Sequence, residues 1–123
     1  MQDEPKPIEI LTAVARFLRD TVVPQATPLV AFQARVAANA VDLCARQIAL
    51  APASDAAEAD SLRALLGRDG SLADLNAALA EGIASGALAN TRGLTEHLWL
   101  ATLAKLAVDQ PRYSGHLAAL KDA

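Results

Sequence analysis

The chain has 123 residues, of which 53% are apolar and only 3% aromatic, and its formal net charge is -3. One domain accounts for this length, and a core made mainly of Leu, Val, Ile and Ala favours packed helices over a β-barrel or β-sandwich. The 11 basic residues are spread along the chain, so we expect no binding to nucleic acid.

The N-terminal segment and the single cysteine bear on the compartment. The first residues, MQDEPKP, are acidic and interrupted by proline, whereas a secretory signal peptide has a basic start and an apolar run. No apolar stretch approaches the roughly 20 residues of a membrane-spanning helix, so we expect a soluble, cytoplasmic protein. Cys44 is the single cysteine of the chain, so an intramolecular disulfide and a four-cysteine zinc site are excluded. Cys44 is expected to be a buried, inert thiol.

The first helix is predicted over residues 7–23. Pro7 suits a first helical turn, where its missing N–H would have had no partner. Apolar residues then recur at the three-four spacing of one helical face, and Pro24 is expected to stop the helix.

The second helix is predicted over residues 28–50. Thr27 is a suitable N-cap, and Pro52 is expected to mark the end of the helix. On a helical wheel, apolar residues cover most of the circumference, so this helix is expected to be central and packed on more than one side. What remains is a polar stripe, which consists of Arg35, Asn39, Asp42 and Arg46.

This polar stripe has two interpretations. Asp42 and Arg46 have the i,i+4 spacing of a helical ion pair. The first interpretation is therefore that the stripe is a solvent-exposed polar face of the helix. Alternatively, guanidinium groups beside an amide and a carboxylate form a surface for an anionic ligand or another protein chain. The stripe is therefore our candidate partner or ligand surface.

Two shorter helices are expected next. Ser54 is a suitable N-cap for a third helix that ends at Gly67, and Ser71 is a suitable N-cap for a fourth that ends at Gly86. Leucines supply most of the apolar face of both helices. These residues are Leu62, Leu65 and Leu66 in the third helix and Leu72, Leu75, Leu79 and Ile83 in the fourth.

The fifth helix is predicted over residues 92–109. Apolar side chains that include Trp99 and Leu100 surround most of it, so it is expected to be central like the second helix. A helical tail over 114–121, docked through Leu117 and Leu120, completes the chain. The predicted fold is all-α, an antiparallel bundle of about five helices with a short C-terminal helical tail, in one domain over residues 1–123.

Polar residues crowd the end of the fifth helix, in the stretch KLAVDQPRYSGH. Pro111 disfavours helix at the residue before it, so the stretch is a helix end followed by a turn. Lys105 and Asp109 share one helical face, Asp109 is expected to pair with the turn, and the ring of Tyr113 is expected to lie against the bundle. We interpret this stretch as a structural corner and not as an active site.

No catalytic or metal-binding arrangement is evident from the spacing of polar residues. Ser114 and His116 are two apart and so diverge on a helix, and the G-x-S-x-G motif is missing. Glu96 and His97 lack a second histidine at helical spacing, and His97 is expected to cover a bundle edge. We expect no catalytic residue, cofactor or metal, although the sequence leaves open whether the chain is an enzyme.

Four segments carry a resemblance to a known family. They are PIEILTAVARFL from Pro7, FQARVAAN from Phe32, LNAAL from Leu75 and TLAKLAVDQPRYS from Thr102. Together they resemble a family of small all-helical bacterial domains of unknown function, over nearly the whole chain up to Ser114. Genes of that family lie beside genes for acyl-CoA dehydrogenases and for kinases similar to aminoglycoside phosphotransferases.

The resemblance implies a non-catalytic accessory or protein-interaction module that acts with an acyl-CoA dehydrogenase or a phosphotransferase-like partner, or that forms a homo-oligomer. The alternative is a helical bundle that binds an acyl-CoA, an acyl chain or a similar small ligand. The first hypothesis requires an exposed apolar surface or self-association, whereas the second requires an enclosed pocket with a few polar groups.

Overall fold

The computed structural model describes residues 3–122, so the ends of the predicted domain, residues 1, 2 and 123, lie outside it. These residues form helices and no strand, which confirms the predicted all-α class. Contacts group the chain into two compact units that divide between Ala51 and Pro52, here called the N-terminal and C-terminal units. The helices are α1 (Pro7–Phe17), α2 (Val23–Gln25), α3 (Pro28–Leu66), α4 (Leu72–Ala84), α5 (Arg92–Asp109) and α6 (Ser114–Asp122).

The first helical segment starts where the sequence predicts but is not a uniform α-helix. The backbone N–H of Lys6 donates to Glu9 Oε2 at 2.7 Å, and Pro7 occupies the first helical position. After Phe17 the chain forms a π-helical turn, Leu18–Val22, and α2 then carries Pro24. The prediction that Pro24 stops the helix was therefore wrong. The wider turn ends at Val22, two residues before Pro24, which lacks the N–H needed to continue α-helical bonding.

α3 has 39 residues and passes through Pro52. Thr27 begins it, since the N–H of Ala31 donates to the Thr27 carbonyl at 2.8 Å. The predicted break before Pro52 and the predicted N-cap at Ser54 were both wrong. Alanine is abundant on both sides of the proline, and its high helix propensity favours a continuous helix despite the missing hydrogen bond.

Small side chains are the buried ones in the N-terminal unit. Among the described residues of this unit the buried ones are alanines, namely Ala15 on α1 and Ala31, Ala34 and Ala38 on α3. Large apolar residues on α3 are exposed instead, with Leu29 at 67% and Phe32 at 60%. The wheel pattern predicted that this helix is packed on more than one side. Within this unit that prediction was wrong, because the large apolar side chains of α3 are exposed. Cys44 is exposed as well, so the expectation of a buried thiol was wrong.

Leucines form the core of the C-terminal unit. Leu62, Leu75, Leu79 and Leu94 are buried together, and further leucines, Leu65, Leu66, Leu72 and Leu88, pack against them. The predicted helix ends are confirmed here, because Ser71 caps α4 and the two glycines after α3 and α4 have positive φ angles. Gly67 has φ 63° and Gly86 has φ 74°. Ile83, expected in the apolar stripe, is exposed.

The last two helices have the predicted bounds but bury different residues. On α5 the buried side chains are Leu94, His97 and Val108, whereas Trp99 is 56% exposed and Leu100 is also exposed. On α6 the buried side chain is His116. The expectation that α6 docks through its leucines was wrong, since Leu117 and Leu120 are exposed. No helix within residues 3–122 is both long enough and apolar enough to span a bilayer.

Candidate functional site

A pocket of about 320 Å³ lies in the C-terminal unit, between the part of α3 that follows Pro52 and the middle of α5. Five of its nine lining residues are apolar, four of them alanines, and the other four carry polar groups. The lining residues are Ala53, Ser54, Ala57, Glu58, Ser61, His97, Leu100, Ala101 and Ala104. We call it the α3–α5 pocket.

Ser61 and His97 form a hydrogen-bonded pair in the wall of this pocket. Ser61 Oγ lies 2.8 Å from His97 Nδ1, and His97 is only 4% exposed. The prediction that His97 covers a bundle edge was wrong, because the serine hydroxyl satisfies one of its ring nitrogens inside the unit. The other nitrogen, Nε2, has no hydrogen-bond partner among the described residues and is not sealed from solvent.

Glu58 places a carboxylate in the same wall. Its Oε1 accepts a hydrogen bond from Asn76 Nδ2 at 2.9 Å and lies 3.5 Å from Lys105 Nζ. The Glu58 side chain is 12% exposed. A carboxylate that is this buried needs partners, and the amide and the ammonium group supply them. Lys105, which the sequence places in the corner, thus also stabilises the pocket wall.

The Ser61–His97 pair is better suited to recognition than to nucleophilic catalysis. A serine nucleophile needs a base that a third group orients through its other ring nitrogen. No such bond to His97 Nε2 exists within residues 3–122. Ser114 and His116, the pair considered in the sequence, are separated by burial, with Ser114 exposed and His116 buried. In the described chain, no three His, Cys, Asp or Glu residues could together hold a metal ion.

The polar stripe lies in the N-terminal unit, where Arg19 contacts two of its members. Arg19 Nη2 lies 2.6 Å from Asp42 Oδ2 and donates to Asn39 Oδ1 at 2.8 Å. Arg35 is exposed, and Arg46 is half-buried. The arginine from the π turn thus occupies the centre of the stripe. The sequence pattern suggested Asp42 and Arg46 as partners and did not identify Arg19.

The corner after α5 contains the turn that the sequence predicts. α5 ends at Asp109, and the N–H of Tyr113 donates to the Gln110 carbonyl at 3.0 Å around Pro111. The ring of Tyr113 lies over Gly115, where an added Cβ would come 2.7 Å from Tyr113 Cε1. Asp109 is exposed. Lys105 and Asp109 are thus on the same helix, but Lys105 approaches Glu58.

Two carboxylates outside the pocket have shifted pKa values. The Arg63 guanidinium, 2.7 Å from Asp69 Oδ1, lowers the pKa of Asp69, and the Gly70 N–H contributes. A hydrogen bond from the Ser71 hydroxyl, followed by one from the Ser71 backbone, lowers the pKa of Asp74. Both groups stabilise the turn and the cap between α3 and α4, so they belong to the scaffold.

Sequence reasoning missed the α3–α5 pocket. Ser61 and His97 are 36 residues apart, and no local pattern connects them. One signal was present, because residues 54, 57, 58 and 61 and residues 97, 100, 101 and 104 repeat the same i, i+3, i+4, i+7 spacing. The two sets include small residues, and small residues at that spacing leave space between two facing helices.

A comparison with protein families identifies a related family. The family model described as "Domain of unknown function (DUF6285)" matches residues 24–113, which include the polar stripe, the α3–α5 pocket and the corner up to Tyr113. No curated protein matches the chain, and no solved structure matches it. The family match covers well over half of the sequence. The chain therefore belongs to the DUF6285 family of domains of unknown function.

Proposed function

We propose that this chain is a non-catalytic accessory module that binds a protein partner. The observation that supports the proposal is the set of large apolar side chains exposed in the N-terminal unit, on α1 and on the first half of α3. They include Phe17, Leu29, Phe32 and Val36. Leu29, Phe32 and Val36 follow one another at the spacing of one helical face, and clustered exposed apolar side chains of this kind mark interaction sites.

The partner proposed is an acyl-CoA dehydrogenase or a phosphotransferase-like kinase of the bacterial cytoplasm. This choice depends on the resemblance of the four sequence segments to a family whose genes lie beside genes for those enzymes. A second copy of the chain is the other occupant considered for the apolar surface. Exposed aromatic and branched side chains suit the centre of either type of interface.

The test is co-expression with an acyl-CoA dehydrogenase and with a phosphotransferase-like kinase from the same genome, followed by affinity capture and size-exclusion chromatography. A stable complex with one of them is expected, and Phe32→Ser and Val36→Ser are expected to weaken it without unfolding the chain, because both side chains are exposed. Leu120→Ser is the matched control, since it removes an exposed apolar side chain from α6. If neither enzyme is captured and the chain elutes as a monomer, the proposal fails.

A second candidate function is the binding of a small ligand such as an acyl chain. The observation in its favour is the α3–α5 pocket, which has an apolar lining and a hydrogen-bonding pair. Saturating ligand stabilises a protein, by about 2.7 kcal/mol at 100 times the dissociation constant, so a thermal-shift panel of acyl thioesters and free acyl chains tests this candidate. A shift with those compounds, in a chain that captures neither enzyme, would favour it over the first.

A further inference from the structure

The α3–α5 pocket is built by two matching helical faces. Ser54, Ala57, Glu58 and Ser61 follow one another at i, i+3, i+4, i+7 on α3, and the same spacing places His97, Leu100, Ala101 and Ala104 on α5. Side chains at that spacing share one face of a helix. Because five of the lining residues are apolar and four of those are alanines, the two faces leave a space with apolar walls.

The size of the pocket fits a small organic molecule. Its volume of about 320 Å³ exceeds the roughly 150 Å³ of an engineered apolar cavity that binds benzene. It lies at the small end of the range of about 300–1,000 Å³ that is typical of ligand sites. A ligand with one ring or a short chain is therefore the appropriate size class.

The His97 imidazole is a polar group in the wall that is left for a ligand to use. His97 is buried and shares Nδ1 with the Ser61 hydroxyl, which leaves Nε2 without a protein partner among the described residues. If the serine donates to Nδ1, Nε2 carries the proton and donates; in the other tautomer Nε2 accepts. A head group that both donates and accepts a hydrogen bond matches either state.

The charge in the wall selects against an anionic head group. Glu58 is the carboxylate among the lining residues, and its oxygen contacts Asn76 and Lys105. The nearby ammonium group balances that charge, so the wall offers no surplus positive charge to an anion. Bringing a second carboxylate beside Glu58 would add like-charge repulsion in a poorly solvated space.

We propose that the α3–α5 pocket binds a small neutral molecule with an apolar body and a single alcohol or primary amide head, which hydrogen-bonds to His97 Nε2. This inference rests on the second candidate function in that the pocket binds a small ligand, but it names an uncharged compound in place of an acyl carboxylate or acyl-CoA, and it names the residues that bind it. The small side chains admit the apolar body, and the Ser61 hydroxyl holds the imidazole in position for the head group.

The experiment is an NMR titration of the full ¹⁵N-labelled chain with four probes that share one ring: benzamide, benzyl alcohol, toluene and benzoate. Benzamide and benzyl alcohol are expected to give saturable shifts of the amides of Ser61, His97 and Ala101. Toluene and benzoate are expected to bind about tenfold or more weakly, because one lacks the hydrogen-bonding head and the other is charged.

Variants connect these shifts to the pocket. Ala101→Leu and Ala57→Leu each fill the space with a larger side chain and are expected to abolish binding of benzamide. Ala77→Leu is the matched control, because Ala77 is exposed on α4 and does not line the pocket. Replacing both Ser61 with Ala and His97 with Phe removes the hydrogen-bonding pair without leaving one member unpaired, and it is expected to erase the preference for benzyl alcohol over toluene.

The possible results distinguish a failure of this inference from a failure of the ligand-binding candidate. Tighter binding of benzoate than of benzamide in this pocket would overturn the neutral head group and leave the ligand-binding candidate in place. Saturable shifts that persist in both Ala→Leu pocket variants would overturn the location. Absence of saturable binding by all four probes would overturn the inference, and a flat panel of acyl compounds as well would overturn the ligand-binding candidate.

Discussion

Ser71 and Asp74 cap α4 through reciprocal hydrogen bonds. The Ser71 hydroxyl donates to Asp74 Oδ2 at 2.6 Å and accepts from the Asp74 N–H at 3.1 Å. The carboxylate lies in the first turn, where the positive end of the helix dipole also favours negative charge. These interactions lower the pKa of Asp74 from its ordinary value of 3.8, the Ser71 hydroxyl being the largest cause.

This lowered pKa makes part of the stability depend on pH. Because the folded pKa lies below the unfolded one, the ionised Asp74 stabilises the fold above about pH 4, and the contribution is lost as the pH falls through the folded pKa. Asp74→Asn is therefore expected to lower the melting temperature at neutral pH. The difference from the parent chain is expected to shrink in acid, where melting curves at several pH values measure it. A difference that grows in acid would contradict this account of the cap.

At the scale of single elements, Pro52 is the residue that departs most from local rules. A proline inside a helix removes one backbone hydrogen bond and crowds the preceding turn, yet α3 continues through it. Pro52→Ala restores that bond and is expected to stabilise the protein by about 1–3 kcal/mol, as urea unfolding would measure. Pro28→Ala is the control, because a proline at the first position of α3 breaks no helical bond. Equal effects of the two substitutions would contradict this explanation.

The glycine after α4 has a conformational role. Gly86 has φ 74°, and no atom within 4 Å would meet an added Cβ, so the backbone alone opposes a side chain there. Gly86→Ala is expected to destabilise the protein by about 1 kcal/mol. Gly93→Ala, inside α5 and with its nearest neighbours at 3.9 Å, is expected to stabilise it by about 0.5–1 kcal/mol. Thermal unfolding of the two variants should therefore shift in opposite directions, and a shared direction would refute the assignment.

Helix ends were predictable from sequence where short-range chemistry sets them. Thr27, Ser71, Gly67 and Gly86 act within one turn of the end they mark, and all four mark real ends. Pro24 and Pro52 misled the prediction, because a local penalty was outweighed by the helix propensity of the flanking residues and by a switch to π-helical bonding. Whether a proline ends a helix thus depends on a longer stretch of sequence than whether a capping residue does.

At the scale of the whole molecule, burial and the candidate site were much harder to predict. The wheel pattern of α3 identifies its apolar residues but not which of them are covered, and it is the alanines that are buried. The Ser61–His97 pair and the contact from Arg19 to Asp42 each join residues distant in sequence. Such pairs depend on how helices face one another, which a single sequence does not encode in any local window.

The two units are expected to differ in local stability. Buried leucines form the core of the C-terminal unit, whereas the buried side chains of the N-terminal unit are alanines. A leucine removes far more apolar area from water than an alanine, so the C-terminal unit gains more from burial. Hydrogen exchange followed by mass spectrometry is expected to be faster in residues 7–51 than in residues 58–108. Slower exchange in the N-terminal unit of the isolated chain would contradict this expectation, whereas slowing upon partner binding would agree with the proposed interaction surface.

The buried alanines also determine which amino-acid substitutions this chain tolerates. In most cores the bulky positions are constrained because truncation leaves cavities. At Ala31, Ala34 and Ala38 the constraint is reversed, since a methyl group already fills the available space and a longer side chain would force the packed surfaces apart. In a saturation library selected only for folding, leucine and phenylalanine are expected to be depleted at these three positions. At position 32, where Phe32 is exposed, alanine is expected to be tolerated. The part of α3 that looks least informative in the sequence is then the part that evolution can alter least.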